Sequence, residues 1–243
     1  LYPGRIADVV YSDGLKLDLY YPEQVNDKNP LVISIFGGGW ISGFKTDKFV
    51  PPMIQPINEG FIVAVPDYTL SLDAPFPQSV IDIKKCIAFL RSHSDLYKID
   101  TNNITLWGES AGAHLALEAG LVENSHFDLA LDTRVKNIIA MYAPSNPLTI
   151  NAQAEKLGIL DTARSDKDTV FGIYMGKNYD DERQMNLASP IKQINDHMPN
   201  IILEHGTKDA LVPYLQSVDF FNKAKEKYPD SHVTLSIYDG LQH

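Results

Sequence analysis

The chain has 243 residues, 44% of them hydrophobic and 21% charged, with a formal net charge of −10 at pH 7. This length suits one globular domain, residues 1–243, whose core is large enough to need no disulfide staples. The acidic balance excludes a nucleic-acid partner, which requires a basic surface, and no run approaches the roughly 20 apolar residues of a membrane span.

Residues 6–11 and Leu15–Tyr21 read as strands joined by Ser12-Asp13-Gly14, a hairpin turn in which glycine accepts positive φ. In the second run Leu15, Leu17, Leu19 and Tyr21 alternate with Lys16, Asp18 and Tyr20, which predicts a half-buried strand. Residues 31–36 and 61–65 are continuous apolar runs, the pattern of strands covered on both faces. Val80, Ile83, Ile87 and Leu90 then repeat at helical spacing, with Pro77 and Gln78 at the helix start. The only cysteine, Cys86, lies on this helix's apolar face. It reads as a small core residue and rules out an internal disulfide.

Residues 104–107 form another buried strand, followed by a small-residue helix over 110–121. Runs at 135–142, 201–204 and Val233–Tyr238 complete the strands, with a helix over 215–228 between the last two. Antiparallel strands first and βαβ alternation afterwards predict a mostly parallel central sheet with an N-terminal antiparallel hairpin and helices on both faces. More than fifty residues separate Ala143 from Asn200, where one crossover helix needs far fewer. Residues 145–195 therefore predict an insertion after the sixth strand, either a cap at the ligand end of the sheet or extra scaffolding.

Gly108-Glu109-Ser110-Ala111-Gly112 matches G-x-S-x-G and sits between a buried strand and a good helix former. A serine on such a turn adopts a strained backbone, and flanking glycines leave room for it. Its hydroxyl then stands at the carboxyl end of the sheet, by a helix N-terminus that favours negative charge. Ser110 is thus the candidate nucleophile, with Glu109 beside it as a substrate contact. Gly37-Gly38-Gly39-Trp40 follows another buried strand, and successive glycines let backbone N–H groups line a concavity. Gly38, Gly39 and Ala111 are the candidate oxyanion donors. Trp40 either walls the acyl pocket or packs under the loop.

The acid should follow the serine and the histidine should come last. Asp209, in His205-Gly206-Thr207-Lys208-Asp209, falls on the exit loop of the strand at 201–204. Asp239 and Glu204 are weaker candidates, one close to the base segment and the other within a strand. His243 follows the last strand and is the candidate base. His114 lies behind Ser110, His205 reads as a brace for its loop, and His93, His126, His197 and His232 fall on helix ends or connections. No His/Cys/carboxylate cluster has metal-ligand spacing, so neither a metal nor an organic cofactor is expected.

Together, Gly37-Gly38-Gly39-Trp40, Gly-Glu-Ser-Ala-Gly, Asp67-Tyr68-Thr69-Leu70 and Ala74-Pro75-Phe76-Pro77 resemble the bacterial esterase branch of the α/β-hydrolases related to hormone-sensitive lipase. The likeness extends over nearly the whole chain and is nearest to the short acetyl- and feruloyl-esterase-like members. It implies an α/β-hydrolase fold and a serine carboxylesterase acting on small-molecule or carbohydrate-linked esters. One departure is Phe36, where the family usually has His. Phe36 cannot make that residue's hydrogen bond to the loop, although cholinesterase-type relatives also carry an aromatic residue there. The same triad would also suit an amide-cleaving enzyme of the arylformamidase or peptidase-like kind. A non-catalytic binding protein on this scaffold is a third reading, supported only by Phe36 and the terminal His243. The chain begins at Leu1 rather than Met, so an upstream segment is expected to be missing and the compartment stays open, as does the oligomeric state. The native chain is expected to continue past His243.

Overall fold

A computed structural model describes residues 4–47, 50–159 and 165–243. Strands β1 Gly4–Ser12, β2 Leu15–Tyr21, β3 Asn29–Ile35, β4 Ile62–Pro66, β5 Ile99–Glu109, β6 Asn137–Met141, β7 Asn200–Gly206 and β8 Val233–Tyr238 form one eight-stranded sheet. Their order is β1-β2-β4-β3-β5-β6-β7-β8. The β1–β2 and β2–β4 pairings are antiparallel and the rest are parallel, as the sequence predicts. Among the described residues the α-helices are α1 Val50–Met53, α2 Gln78–Ser92, α3 Ser94–Tyr97, α4 Ala111–Leu121, α5 Ile150–Leu157, α6 Val170–Met175, α7 Glu182–Leu187 and α8 Leu215–Lys227. None is long and apolar enough to cross a membrane.

The parallel direction of β4, β3, β5, β6, β7 and β8 brings six carboxyl ends to one edge of the sheet, and every candidate site residue lies at or just past the end of β3, β5, β7 or β8. The core beneath this edge is formed by the apolar runs. Leu31, Ile33, Ile35 and Ile62 to Val65 are shut off from solvent, as strands covered on both faces must be.

Two strand expectations need correction. The half-buried β2 is closed on both faces, because Asp18 is 0% exposed and Tyr20 is also buried. Asp18 tolerates burial because Lys45 Nζ lies 2.9 Å from Oδ1, Arg5 Nη2 donates to Oδ2 and the Asp8 N–H donates at 2.9 Å. Burial pushes this carboxyl up, but those donors outweigh it and hold it below the usual carboxylate range. The second correction is β5, which starts five residues before the apolar run at 104–107, with Ile99 pairing with Asn29. Asp100-Thr101-Asn102-Asn103 carry no apolar signal, yet their backbone still belongs to the strand.

Helix α4 carries the serine turn at its N-terminus and is held from below at its C-terminus. Buried Lys84 of α2 donates to Ala119 O at 2.9 Å, Val122 O at 2.7 Å and Asn124 Oδ1 at 2.9 Å. A cation suits the carbonyl end of a helix, though burial lowers this ammonium to about 8. Cys86 is fully buried on the same helix, and burial raises its thiol well above the ordinary range.

Two glycines of α4 separate fixed from forgiving contacts. A Cβ on Gly112 would lie 2.1 Å from Ile35 O and 2.5 Å from Phe36 O, backbone atoms that cannot step aside. A Cβ on Gly120 would meet side chains instead, the Ile138 Cδ1 methyl at 2.5 Å being the nearest and the end of a flexible chain. Gly112→Ala is therefore expected to cost on the order of 3 kcal/mol in urea unfolding. Gly120→Ala should stay within about 1 kcal/mol of the parent, since better helix propensity offsets the contact. Equal losses would mean that the β3–α4 approach is not tight.

Between β6 and β7 run α5, α6 and α7, with residues 160–164 of the expected insertion outside the described residues. The segment packs on the carboxyl-end loops. Phe76 N–H donates to Tyr174 O at 2.6 Å, Asn178 Nδ2 donates to Phe76 O at 2.7 Å, and Val170 faces Gly39.

Candidate active site

Ser110 is the residue between β5 and α4, with φ 51° and ψ −121°, a strained conformation for a side chain of L configuration. Its N–H donates to Met141 O at 3.0 Å, which extends the β5–β6 ladder by one bond and fixes the turn. The flanking glycines are obligatory. A Cβ on Gly108 would sit 2.3 Å from Gly112 O, and Gly112 itself presses on the end of β3. Ala111 opens α4, so its N–H belongs to the first turn and has no intrahelical acceptor.

The glycine loop lies alongside. A Cβ on Gly37 would be 3.1 Å from Glu109 O and 3.3 Å from Ser110 Cβ, so loop and serine turn are in direct contact. Gly38 and Gly39 have φ 105° and 60°, turning the loop back on itself, and Ser42 N–H donates to Gly38 O at 3.1 Å. Phe36 is buried and stacks on Tyr68 with ring centroids 4.4 Å apart. The Tyr68 hydroxyl donates towards Phe36 O at 3.0 Å and Gly37 O at 3.3 Å, so the loop entrance has a hydrogen-bonded brace despite lacking the usual His. The Trp40 ring packs between α4 and the segment that follows β6. It is 4% exposed, stacked on Tyr174 at 4.7 Å and edge-on to His114 at 5.2 Å.

The structure brings Asp209 and His243 to the same point. His243 Nε2 lies 3.0 Å from Ser110 Oγ, and His243 Nδ1 lies 2.7 Å from Asp209 Oδ2. Asp209 is buried, and its Oδ1 accepts the N–H groups of Leu211 and Val212, each at 2.8 Å. Burial pushes this carboxyl up, but hydrogen bonds from His205 and His243 outweigh it and hold it well below the usual carboxylate range. An ionised carboxylate only accepts, so His243 carries its proton on Nδ1 and leaves Nε2 to accept from Ser110. The tail reaches this position by crossing the β7 exit loop: Lys208 N–H donates to Leu241 O at 2.9 Å and Thr207 N–H to Tyr238 O at 3.0 Å. Gly206 makes that crossing possible, since a Cβ there would be 2.2 Å from Leu241 O.

With this geometry in place, the sequence matches the family described as BD-FAE over residues 17–224. The chain belongs to this family. It is also similar to Esterase LipQ of Mycobacterium tuberculosis, 28% identical over 90% of this chain and 52% of that protein. Against an isoprenylcysteine alpha-carbonyl methylesterase of Arabidopsis thaliana it is 27% identical over 97% of this chain and 55% of the relative. The chain thus spans about half the length of the curated relatives it matches. Among solved structures, a truncated carbohydrate esterase from gut microbiota superposes with TM-score 0.86 at 24% identity, covering 100% of this chain and 90% of that one. Thermogutta terrifontis esterase 2 with propionate bound superposes with TM-score 0.75 at 23% identity, covering 100% and 85%. These likenesses carry the fold, which is that of an α/β-hydrolase.

In this BD-FAE member the remaining histidines are engaged elsewhere or exposed. His205 Nε2 lies 2.9 Å from Val212 O and 3.2 Å from Asp209 Oδ2, while its Nδ1 meets Ser217 Oγ at 2.8 Å, so it holds the acid loop. His114 is buried with Nε2 on Ala188 O at 3.1 Å, and His93, His126, His197 and His232 are exposed. Asp239 accepts from Thr207 and Glu204 from Tyr238, so neither alternative acid is the partner of His243.

Sequence reasoning missed two tyrosines. Tyr68 was visible only as part of a motif and not as the loop's brace. Tyr142 follows β6 with φ 44°, donates its hydroxyl to Glu109 Oε2 at 2.8 Å and lies against the His243 ring with centroids 4.5 Å apart. Its one sequence signal was its place at the end of a buried strand on the catalytic edge.

Proposed function

We propose that this chain is a serine carboxylic ester hydrolase that cleaves short-chain acyl esters through an acyl-enzyme. The observation that carries the reading is the unbroken line from Ser110 Oγ to His243 to Asp209, at 3.0 and 2.7 Å, beside a glycine loop. In the first step His243 Nε2 takes the Ser110 proton as Oγ attacks the ester carbonyl. Asp209 keeps the imidazole in the tautomer that can accept and stabilises the imidazolium that forms. The N–H groups of Gly38, Gly39 and Ala111, with the N-terminus of α4 behind them, hold the negative oxygen of the tetrahedral intermediate. His243 then returns the proton to the leaving alcohol. In the second step water attacks the acyl-Ser110 carbonyl with the same base, releasing the acid and restoring the serine.

The finer reading is an acetyl or feruloyl ester carried on a carbohydrate. It is supported by the resemblance to short acetyl- and feruloyl-esterase-like enzymes. Glu109, half-buried beside Ser110, gives one carboxylate oxygen to Tyr142 and keeps the other for a substrate hydroxyl. The 145–195 insertion serves as a cap through Val170, which bounds the site beside Gly39. Trp40 supports that wall from beneath by its contacts with Phe171 and Tyr174. Incubation with a fluorophosphonate probe, followed by intact-mass and peptide mapping, is expected to give one adduct on Ser110 and to abolish hydrolysis of p-nitrophenyl acetate. Hydrolysis that continues in the fully labelled protein, or a label on another residue, would refute this assignment.

A further inference from the structure

His243 follows β8 on a stretch without regular structure, and two hydrogen bonds hold its ring. Both act through the ring nitrogens. Bonds of that kind fix where the imidazole points but resist rocking about the line between its two nitrogens only weakly. A side chain packed against the ring limits that rocking and, with it, displacement of the imidazole from its place between Ser110 and Asp209.

Tyr142 packs against this ring. Its ring lies 4.5 Å from the His243 ring, centroid to centroid, with the planes inclined at 55°. The phenol is itself held at both ends. Its backbone N–H donates to Glu204 O at 2.7 Å, prolonging the β6–β7 ladder, and its hydroxyl donates to Glu109 Oε2 at 2.8 Å. Glu109 is the residue before Ser110 and passes close to Gly37, so the brace is tied to the element that carries the nucleophile. Tyr142 reaches this place at φ 44°, a left-handed conformation that is strained for a bulky residue. A strained backbone at an active-site edge points to a local requirement for that side chain.

Resting on the reading of Ser110, His243 and Asp209 given above, we infer that Tyr142 is a positioning residue that packs against the His243 imidazole, with Glu109 as its anchor. It touches no reacting atom. Its effect passes through the orientation of the base, so its loss slows attack by Ser110 without weakening substrate binding.

The test compares Tyr142→Asn with Tyr142→Phe. Asparagine deletes the ring yet tolerates positive φ, whereas phenylalanine keeps the ring and loses only the bond to Glu109. Tyr142→Asn is expected to lower kcat on p-nitrophenyl acetate about 30- to 100-fold with KM within about threefold, the scale of a misplaced catalytic group. The rate of Ser110 labelling by a fluorophosphonate should fall in parallel, since it reports attack without an alcohol leaving group. Tyr142→Phe should recover most of this loss. Tyr142→Gly, which also relaxes the backbone, repeats the ring deletion if the asparagine variant does not fold. Parental kcat in a folded ring-deleted variant, or a phenylalanine variant as slow as asparagine, would overturn the inference while Ser110→Ala remains inactive. Turnover retained in Ser110→Ala would instead bring down the site reading, and this inference with it.

Discussion

Ser110→Ala is expected to reduce kcat on p-nitrophenyl acetate about 10⁶-fold, the size of loss that follows removal of an activated serine nucleophile. Nothing else at the turn has to change. Alanine lacks only the Oγ, while Gly108 and Gly112 keep the close approach of β3, β5 and α4. The residual rate, about 10³-fold or more above water, should come from the glycine loop and the α4 N-terminus polarising the carbonyl. His243 would then have no serine proton to take. Unfolding by urea should give the alanine variant close to parental stability, which separates lost chemistry from lost structure. Turnover within tenfold of the parent would place the nucleophile elsewhere.

Asp209→Asn is expected to cost about 10⁴ in kcat, because an amide in that place favours the wrong imidazole tautomer. Asp209 Oδ2 receives both His243 Nδ1 and His205 Nε2, and Oδ1 receives two backbone N–H groups. All four contacts come from groups that can donate, so a carboxylate fits the site fully. An amide must turn its NH₂ towards one pair. If it faces the imidazoles, Nδ1 of His243 becomes an acceptor, the ring proton moves to Nε2, and the proton of Ser110 has nowhere to go. If it faces the loop, the N–H groups of Leu211 and Val212 lose their acceptor and the acid segment loosens.

The same substitution has a pH signature in stability. The native carboxyl is held below the usual carboxylate range, so the unfolded chain binds more protons on acidification than the folded one does. Its contribution is therefore fully present above the unfolded value of about 3.9 and lost as pH falls towards the lower folded value. The stability gap between parent and Asp209→Asn, measured by urea unfolding, should be largest near neutral pH and should close on acidification. A gap that widens at low pH would mean that the carboxylate is not held by its donors.

The readability of the site from sequence follows from the kind of constraint each residue obeys. Ser110 could be found because its turn demands glycines at fixed offsets, and the close approaches at Gly108 and Gly112 give the physical reason. Gly206 belongs to the same class: only a hydrogen side chain lets the tail carrying His243 cross β7. Tyr142 obeys no such local rule. Its neighbours Glu109, Glu204 and His243 come from three other strand ends, so no spacing along the chain betrays it. Asp18 was read as facing outward because alternation assumes one open face, whereas Arg5 and Lys45 close that face with charge.

The succession of strands along the chain and the identity of the serine turn were determined by the sequence itself, through apolar runs, hairpin chemistry and glycine spacing. These signals act over a few residues and survive without any partner. The meeting of Ser110, Asp209 and His243, the burial of Trp40 against His114, Phe171 and Tyr174 and the contact of Tyr142 with the imidazole were decided only in the tertiary structure. Each depends on distances between strand ends that parallel pairing sets, and no stretch of chain carries that information alone.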